Sequence, residues 1–232
     1  AGNKNIPGIY IEFKEPWLNP KGFEQIVYDV LANTQDMNII EKPEPEDTPF
    51  YINNGTINVG NTNGKVILQT FSLESLVRVA EVFQGKVPMC FLLWKGTGAT
   101  DLTYDDPLGY ASFINLGVKY KAHFIGPCIA GAPNDYPELD QPWQDYLIHR
   151  AKMKNHPYTF DTYDQMAKYF GQYNFGVADG MFNPPYLDAL FTNHSDMSIN
   201  YMITHGWRKS PASQTLVDAR EVLRKLGYLD NN

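Results

Sequence analysis

The chain has 232 residues, 43% hydrophobic and 14% aromatic, enough for one sizeable core and too apolar for disorder. Acidic residues outnumber basic ones 26 to 19, a net charge of -7, and an acidic surface with no basic run does not suit a nucleic-acid backbone. No apolar stretch reaches the length of a transmembrane segment, and the two cysteines, Cys90 and Cys128, lack metal-site spacing, leaving a single disulfide open.

The first eight residues, AGNKNIPG, read as neither the basic nor the apolar part of a signal peptide. IYIEFK (9–14) is a β-rich run, and a helix follows over about 21–33, with Phe23, Ile26, Val27, Val30 and Leu31 at helical spacing. The polar, Pro- and Asn-rich stretch 41–64 reads as an inserted loop with room for a small hairpin. VILQTF (66–71) is a strand, after which Ser72 caps a helix that ends at Gly85. MCFLLW (89–94) is apolar throughout, as a strand buried on both faces should be.

A helix is expected over 107–116 and a strand over 122–127, then a Gly/Pro/Asp loop over 131–142 and a helix over 143–154. HPYTF (156–160) is the next strand, and the helix after it stops at Gly171. A strand over 177–182 and a helix over 186–191 complete the alternation. In the tail, Ser210 caps a last helix, Pro211 stands at its first position and Gly227 ends it. Repeated β/α units with buried strands imply a parallel sheet covered by helices. No glycine-rich phosphate loop follows any strand, so a TIM-type barrel is favoured over a Rossmann or P-loop fold.

In such a barrel, chemistry sits at the carboxyl ends of the strands. Glu12 and Lys14 lie there and alternate in phase, so both side chains share one face. Two charges in that position need a partner or a task; a structural ion pair and a functional pair are both open. Gln69 is polar within an apolar strand, so it either faces the interior or pairs locally. His156, Tyr158 and Thr159 belong to the HPYTF strand and are either substrate contacts or core and rim residues. His123, His149, His194 and His205 show no ligand spacing.

GIYIEFKEPW, VILQTFSLESL, AHFIGP, NHPYTF and DGMF, in that order, resemble the later motifs of the glycerophosphodiester phosphodiesterase family. The likeness is greatest to its periplasmic type, and it runs over about Ile6 to Phe191. The first motif is the specific one; the others persuade by their order. The resemblance implies an α/β TIM-barrel phosphodiesterase fold that is incomplete, with about the last six of eight β/α units. Residues 1–193 would form the partial barrel, interrupted by the loop at about 41–64. Residues 194–232 would form a C-terminal extension with a terminal helix.

The family hydrolyses glycerophosphodiesters to glycerol 3-phosphate and an alcohol with Ca²⁺ or Mg²⁺. By that resemblance Glu12 is a metal ligand, Lys14 a catalytic residue beside the phosphate, and His156, Tyr158 and Gln69 substrate-binding. Location would be periplasmic or extracellular. Three family features are missing from the chain: the histidine–arginine–glycine strand, the Glu and Asp metal ligands that follow it, and the histidine–aspartate motif. Asn183-Pro184-Pro185 stands where the family has a Thr-Asp pair. The expectation is therefore part of a longer enzyme, completed by an N-terminal segment or by a homo-oligomer. The alternative is a non-catalytic derivative that binds a phosphodiester or a protein.

Overall fold

The structure, a computed structural model, describes residues 9–34, 51–53, 56–58, 66–94, 106–172, 187–206, 223–224 and 227–228. In chain order these form β1 (Ile9–Glu12), α1 (Phe23–Asn33), β2 (Tyr51–Asn53), β3 (Thr56–Asn58), β4 (Val66–Thr70), α2 (Leu73–Phe83) and β5 (Met89–Leu93). Then come α3 (Pro107–Lys119), β6 (Phe124–Pro127), α4 (Pro142–Arg150), β7 (Lys154–Asn155), α5 (Tyr163–Ala167) with a π-helical turn (Lys168–Gln172), and α6 (Ser195–Thr204). The chain divides into two compact units, Ala1–His194 and Ser195–Asn232. Among the described residues, no helix is long and apolar enough to cross a membrane.

The fold is α/β. The first unit holds a five-stranded sheet in the order β1-β4-β5-β6-β7, every pair parallel. Hairpin β2–β3 stands apart as a two-stranded antiparallel ribbon within the predicted insertion. Strands β4 to β7 follow one another in sequence and in space, joined by crossovers long enough for a helix. Side chains alternate between the two faces of the sheet. Ile11, Leu68, Phe91, Leu93 and Ile125 pack with Val27 and Leu31 of α1, Leu76 and Phe83 of α2, Phe113 of α3 and Ile148 of α4 in one large core. Each fully buried Leu or Phe there contributes about 1.5–3 kcal/mol.

The other face gathers Tyr10, Ile67, Phe71, Cys90, Leu92 and Phe124, with Tyr158 and Phe191 against them. Cys90 and Cys128 are free, buried thiols, which closes the question of a disulfide. β5 is buried along its whole length, as its unbroken apolar run predicts.

Three predicted boundaries need correction. The helix expected over 143–154 stops at Arg150, because Lys152 turns into the left-handed region at φ 60°. The following ladder starts at Lys154, within the expected helix, and runs on past Asn155. His156 N–H donates to Ile125 O and Tyr158 N–H to Pro127 O, both along β6. Residues expected as a helix over 186–191 are neither helix nor strand where the structure describes them, with a bend at Asp188. Asp188 N–H donates to Asn155 O, Phe191 N–H to Pro157 O, and Phe160 N–H to Phe191 O. Pairing with the neighbouring backbone thus replaces helical bonds. The strand expected over 177–182 and the Asn-Pro-Pro stretch lie outside the described residues, as does most of the expected terminal helix.

Candidate functional site

β1 and β4 pair in register, so Glu12 stands beside Gln69 at their carboxyl ends. Beyond the ladder Phe13 N–H donates to Gln69 O at 2.9 Å. Buried Thr70 then ties the two strand ends together. Its Oγ1 donates to Phe13 O at 2.8 Å and accepts from Ser72 N–H at 3.0 Å. The turn after β1 is fastened from α2: Arg78 reaches Pro16 O at 3.2 Å and pairs with Glu24 at 3.6 Å and Glu74 at 2.8 Å. Asn19 Nδ2 holds Lys14 O at 2.9 Å. These bonds fix the backbone from which Glu12 and Lys14 project.

Glu12 and Gln69 line a cavity of about 280 Å³ with Phe71, Leu92, Tyr158, Thr159, Phe191, Thr192 and Asn193. The Tyr158 hydroxyl donates to Leu93 O at 3.0 Å. Its ring meets Phe71 edge to face at a centroid distance of 5.7 Å. Burial keeps the Tyr158 phenol protonated, its pKa well above the ordinary value. Asn193 is pinned to Asp161, its N–H to Oδ1 at 2.9 Å and its Nδ2 to Oδ2 at 3.0 Å.

The structure thus brings three of the five predicted site residues, Glu12, Gln69 and Tyr158, to one cavity. Lys14 pairs with Glu12 at 3.6 Å from the solvent side, its side chain 71% exposed, and does not line the cavity. His156 lies beneath it: Nδ1 bonds Tyr10 Oη at 3.1 Å, and its ring stacks on Phe124 at 4.1 Å. Burial pushes the His156 imidazole down to about 4, so it is neutral at ordinary pH. No protein-family model matches the chain, and no curated protein matches it.

Sequence reading passed over Phe71, Leu92, Phe191, Thr192 and Asn193. Phe71 was within reach, because it lies two residues beyond Gln69 on the same strand face. Leu92 gave no polar signal, Phe191 was obscured by the helix expected over 186–191, and Thr192 and Asn193 lay just beyond its end. For a Ca²⁺ or Mg²⁺ ion the donors do not suffice. Among the described residues Glu12 is the one carboxylate lining the cavity, and no three His, Cys, Asp or Glu side chains group to hold a metal. Ca²⁺ takes six to eight oxygens, several of them from carboxylates, and Mg²⁺ takes six with one or two carboxylates, whereas Glu12 is already paired with Lys14.

Proposed function

We propose that the first unit is part of a TIM-type barrel whose mouth binds the phosphodiester of a glycerophosphodiester, and that it hydrolyses this substrate when a further segment of a longer polypeptide completes it. The observation that carries this reading is the placing of Glu12 and Gln69, in register, at the carboxyl ends of adjacent parallel strands and open to one cavity. Sequential strand order with helices packed on one face supports a barrel segment over a doubly wound sheet, where the order reverses. The motif resemblance supplies the substrate class. Lys14, at the exposed rim, neutralises the phosphate as charge grows on it. Tyr158 and Gln69 flank the substrate, and His156 supports that wall through Tyr10 as a neutral group.

In this reading the acid–base pair and the remaining metal carboxylates come with the completing segment. That segment adds a parallel strand to the outer edge of β1, which no strand pairs among the described residues. Its helix covers Ile26 and Val30 of α1, 58% and 59% exposed. At 100° per residue these two lie on the flank opposite Glu24 and Tyr28, which meet α2. A non-catalytic binder is favoured by one observation: among the described residues the cavity has a single carboxylate, and it is already paired with a lysine.

The test is hydrolysis of glycerophosphocholine with Ca²⁺, Mg²⁺ or EDTA, by this chain and by a form with the upstream motifs restored. Metal-dependent release of glycerol 3-phosphate by the restored form alone is the expected result. Binding without turnover in both forms would establish the second reading. In the restored form Glu12→Ala should abolish metal-dependent turnover, and Lys14→Ala should lower kcat about 10²-fold.

A further inference from the structure

Behind β7, away from the cavity, lies a buried polar cluster that the proposed reaction does not use. Asn155 is fully buried and Asp140 is 3% exposed. The Asn155 amide donates both its hydrogens, to Asp140 Oδ1 at 2.7 Å and to Asp145 Oδ1 at 2.9 Å. Two atoms are left over: among the described residues, buried Asp140 Oδ2 and Asn155 Oδ1 have no partner. With Asp140 ionised both are acceptors, and neither can serve the other. Turning the amide over would set its oxygen against two carboxylates, so no flip repairs this.

We propose that Asp140 is built into the fold as a neutral carboxylic acid, its Oδ2–H donating to Asn155 Oδ1 to close an acid–amide pair, and that ionising it at alkaline pH loosens the cavity wall. The missing donor is thereby supplied by one proton. Charge balance selects the same group. Asp145 has His149 Nδ1 at 3.2 Å, and Asp188 has His149 Nε2 at 2.9 Å, Lys154 Nζ at 2.7 Å and Asn155 N–H at 2.9 Å. Glu138 is answered by Lys168 and the Tyr169 hydroxyl. Asp140 has one direct partner, the Asn155 amide, and beyond it only the weaker, through-space pull of His149, which is already bonded to Asp145 and Asp188. Two cations, His149 and Lys154, then face two carboxylates, Asp145 and Asp188, once Asp140 is neutral.

The other titratable neighbours do not supply a counter-charge. Tyr110 of α3 and Cys128 after β6 both stay neutral, the thiol pushed up to about 12 by burial. Burial, and then Asp145, push the Asp140 carboxyl well above its ordinary value, in the sense the geometry requires. The link to the cavity is Asn155. Its carbonyl accepts from Asp188 N–H at 2.9 Å and Ala189 N–H at 3.3 Å, and that stretch continues to Phe191, Thr192 and Asn193 in the cavity wall.

The test uses the full chain labelled with ¹³C at the aspartate carboxyls. Infrared spectroscopy near neutral pH should show a protonated carboxyl band that disappears in Asp140→Asn. Asp140→Asn, whose amide donates where the acid hydroxyl does, should keep the wild-type thermal midpoint or raise it; Asp140→Ala should lower it. On raising the pH, loss of the band in wild type should coincide with a fall in amide protection at Phe191 and Asn193, measured relative to the base-catalysed intrinsic rate, and Asp140→Asn should show no such fall. Absence of a protonated band, an Asp140→Asn midpoint as low as that of Asp140→Ala, or exchange indifferent to the band would each overturn the proposal. None of these readouts depends on hydrolysis.

Discussion

At the scale of single residues, charge is handled in two ways in this chain. Glu12 and Lys14 sit at a solvent-open mouth, where water screens them. His149 is enclosed between carboxylates. Burial opposes its charge, but hydrogen bonds and charges from Asp145 and Asp188 outweigh burial and lift its pKa from 6.5 to about 10. A folded-state value above the unfolded one stabilises the fold fully below about pH 6.5, and this gain disappears as pH rises through about 10. Because 35% of the side chain is open to solvent, screening limits the gain to about 1 kcal/mol. His149→Gln should therefore lower the denaturation midpoint near neutral pH and flatten its decline toward about pH 10. The Asp140 acid adds a decline of the same sign, so the flattening should be partial. The sequence could not show this: His149 has no ligand spacing, and Asp188, its partner across 39 positions, meets it only through the tertiary fold.

Elements were legible where pattern and packing agree. β5 was readable because a strand covered on both faces must be apolar throughout. α2 was readable because Ser72 begins it, accepting from Ser75 N–H. The misreadings have two causes. Lys152 is left-handed without being glycine, so nothing in its identity marks the helix end. The stretch 186–191 was read as helical, but the backbone partners of its described part are Asn155, Pro157 and Phe160, and tertiary pairing overrides local pattern. β6 carries a position that tests the face opposite the helices. A Cβ on Gly126 would stand 2.7 Å from Leu92 Cδ2 and 2.9 Å from Cys90 Sγ. Gly126→Ala should cost about 1–3 kcal/mol by overpacking, measured by chemical denaturation. Adding Leu92→Ala, which empties the space the methyl needs, should recover part of the loss beyond additivity.

At the scale of the first unit, the sheet's two edges differ. The β7 side is followed by the 187–193 stretch, bonded to the backbone of Asn155, Pro157 and Phe160 and to the Asp161 carboxylate. The outer edge of β1 has no paired strand among the described residues, and Ile26 and Val30 stand exposed on α1 beside it. Open edges invite pairing. In this chain Ile26→Glu with Val30→Glu should weaken docking of the completing segment, supplied as a separate chain, at least about tenfold, or ~1.4 kcal/mol, read by titration calorimetry. Cys90 and Cys128 give this sheet an internal clock. They belong to different packing layers, both 0% exposed, with thiols held near 12 by burial. A thiolate-seeking alkylating reagent can reach neither sulfur until its layer parts. If the two layers separate together, both cysteines are modified at one rate; if the face opposite the helices opens first, Cys90 is capped while Cys128 is still silent. Mass spectrometry of partly alkylated chains would then show which side of the sheet gives way first.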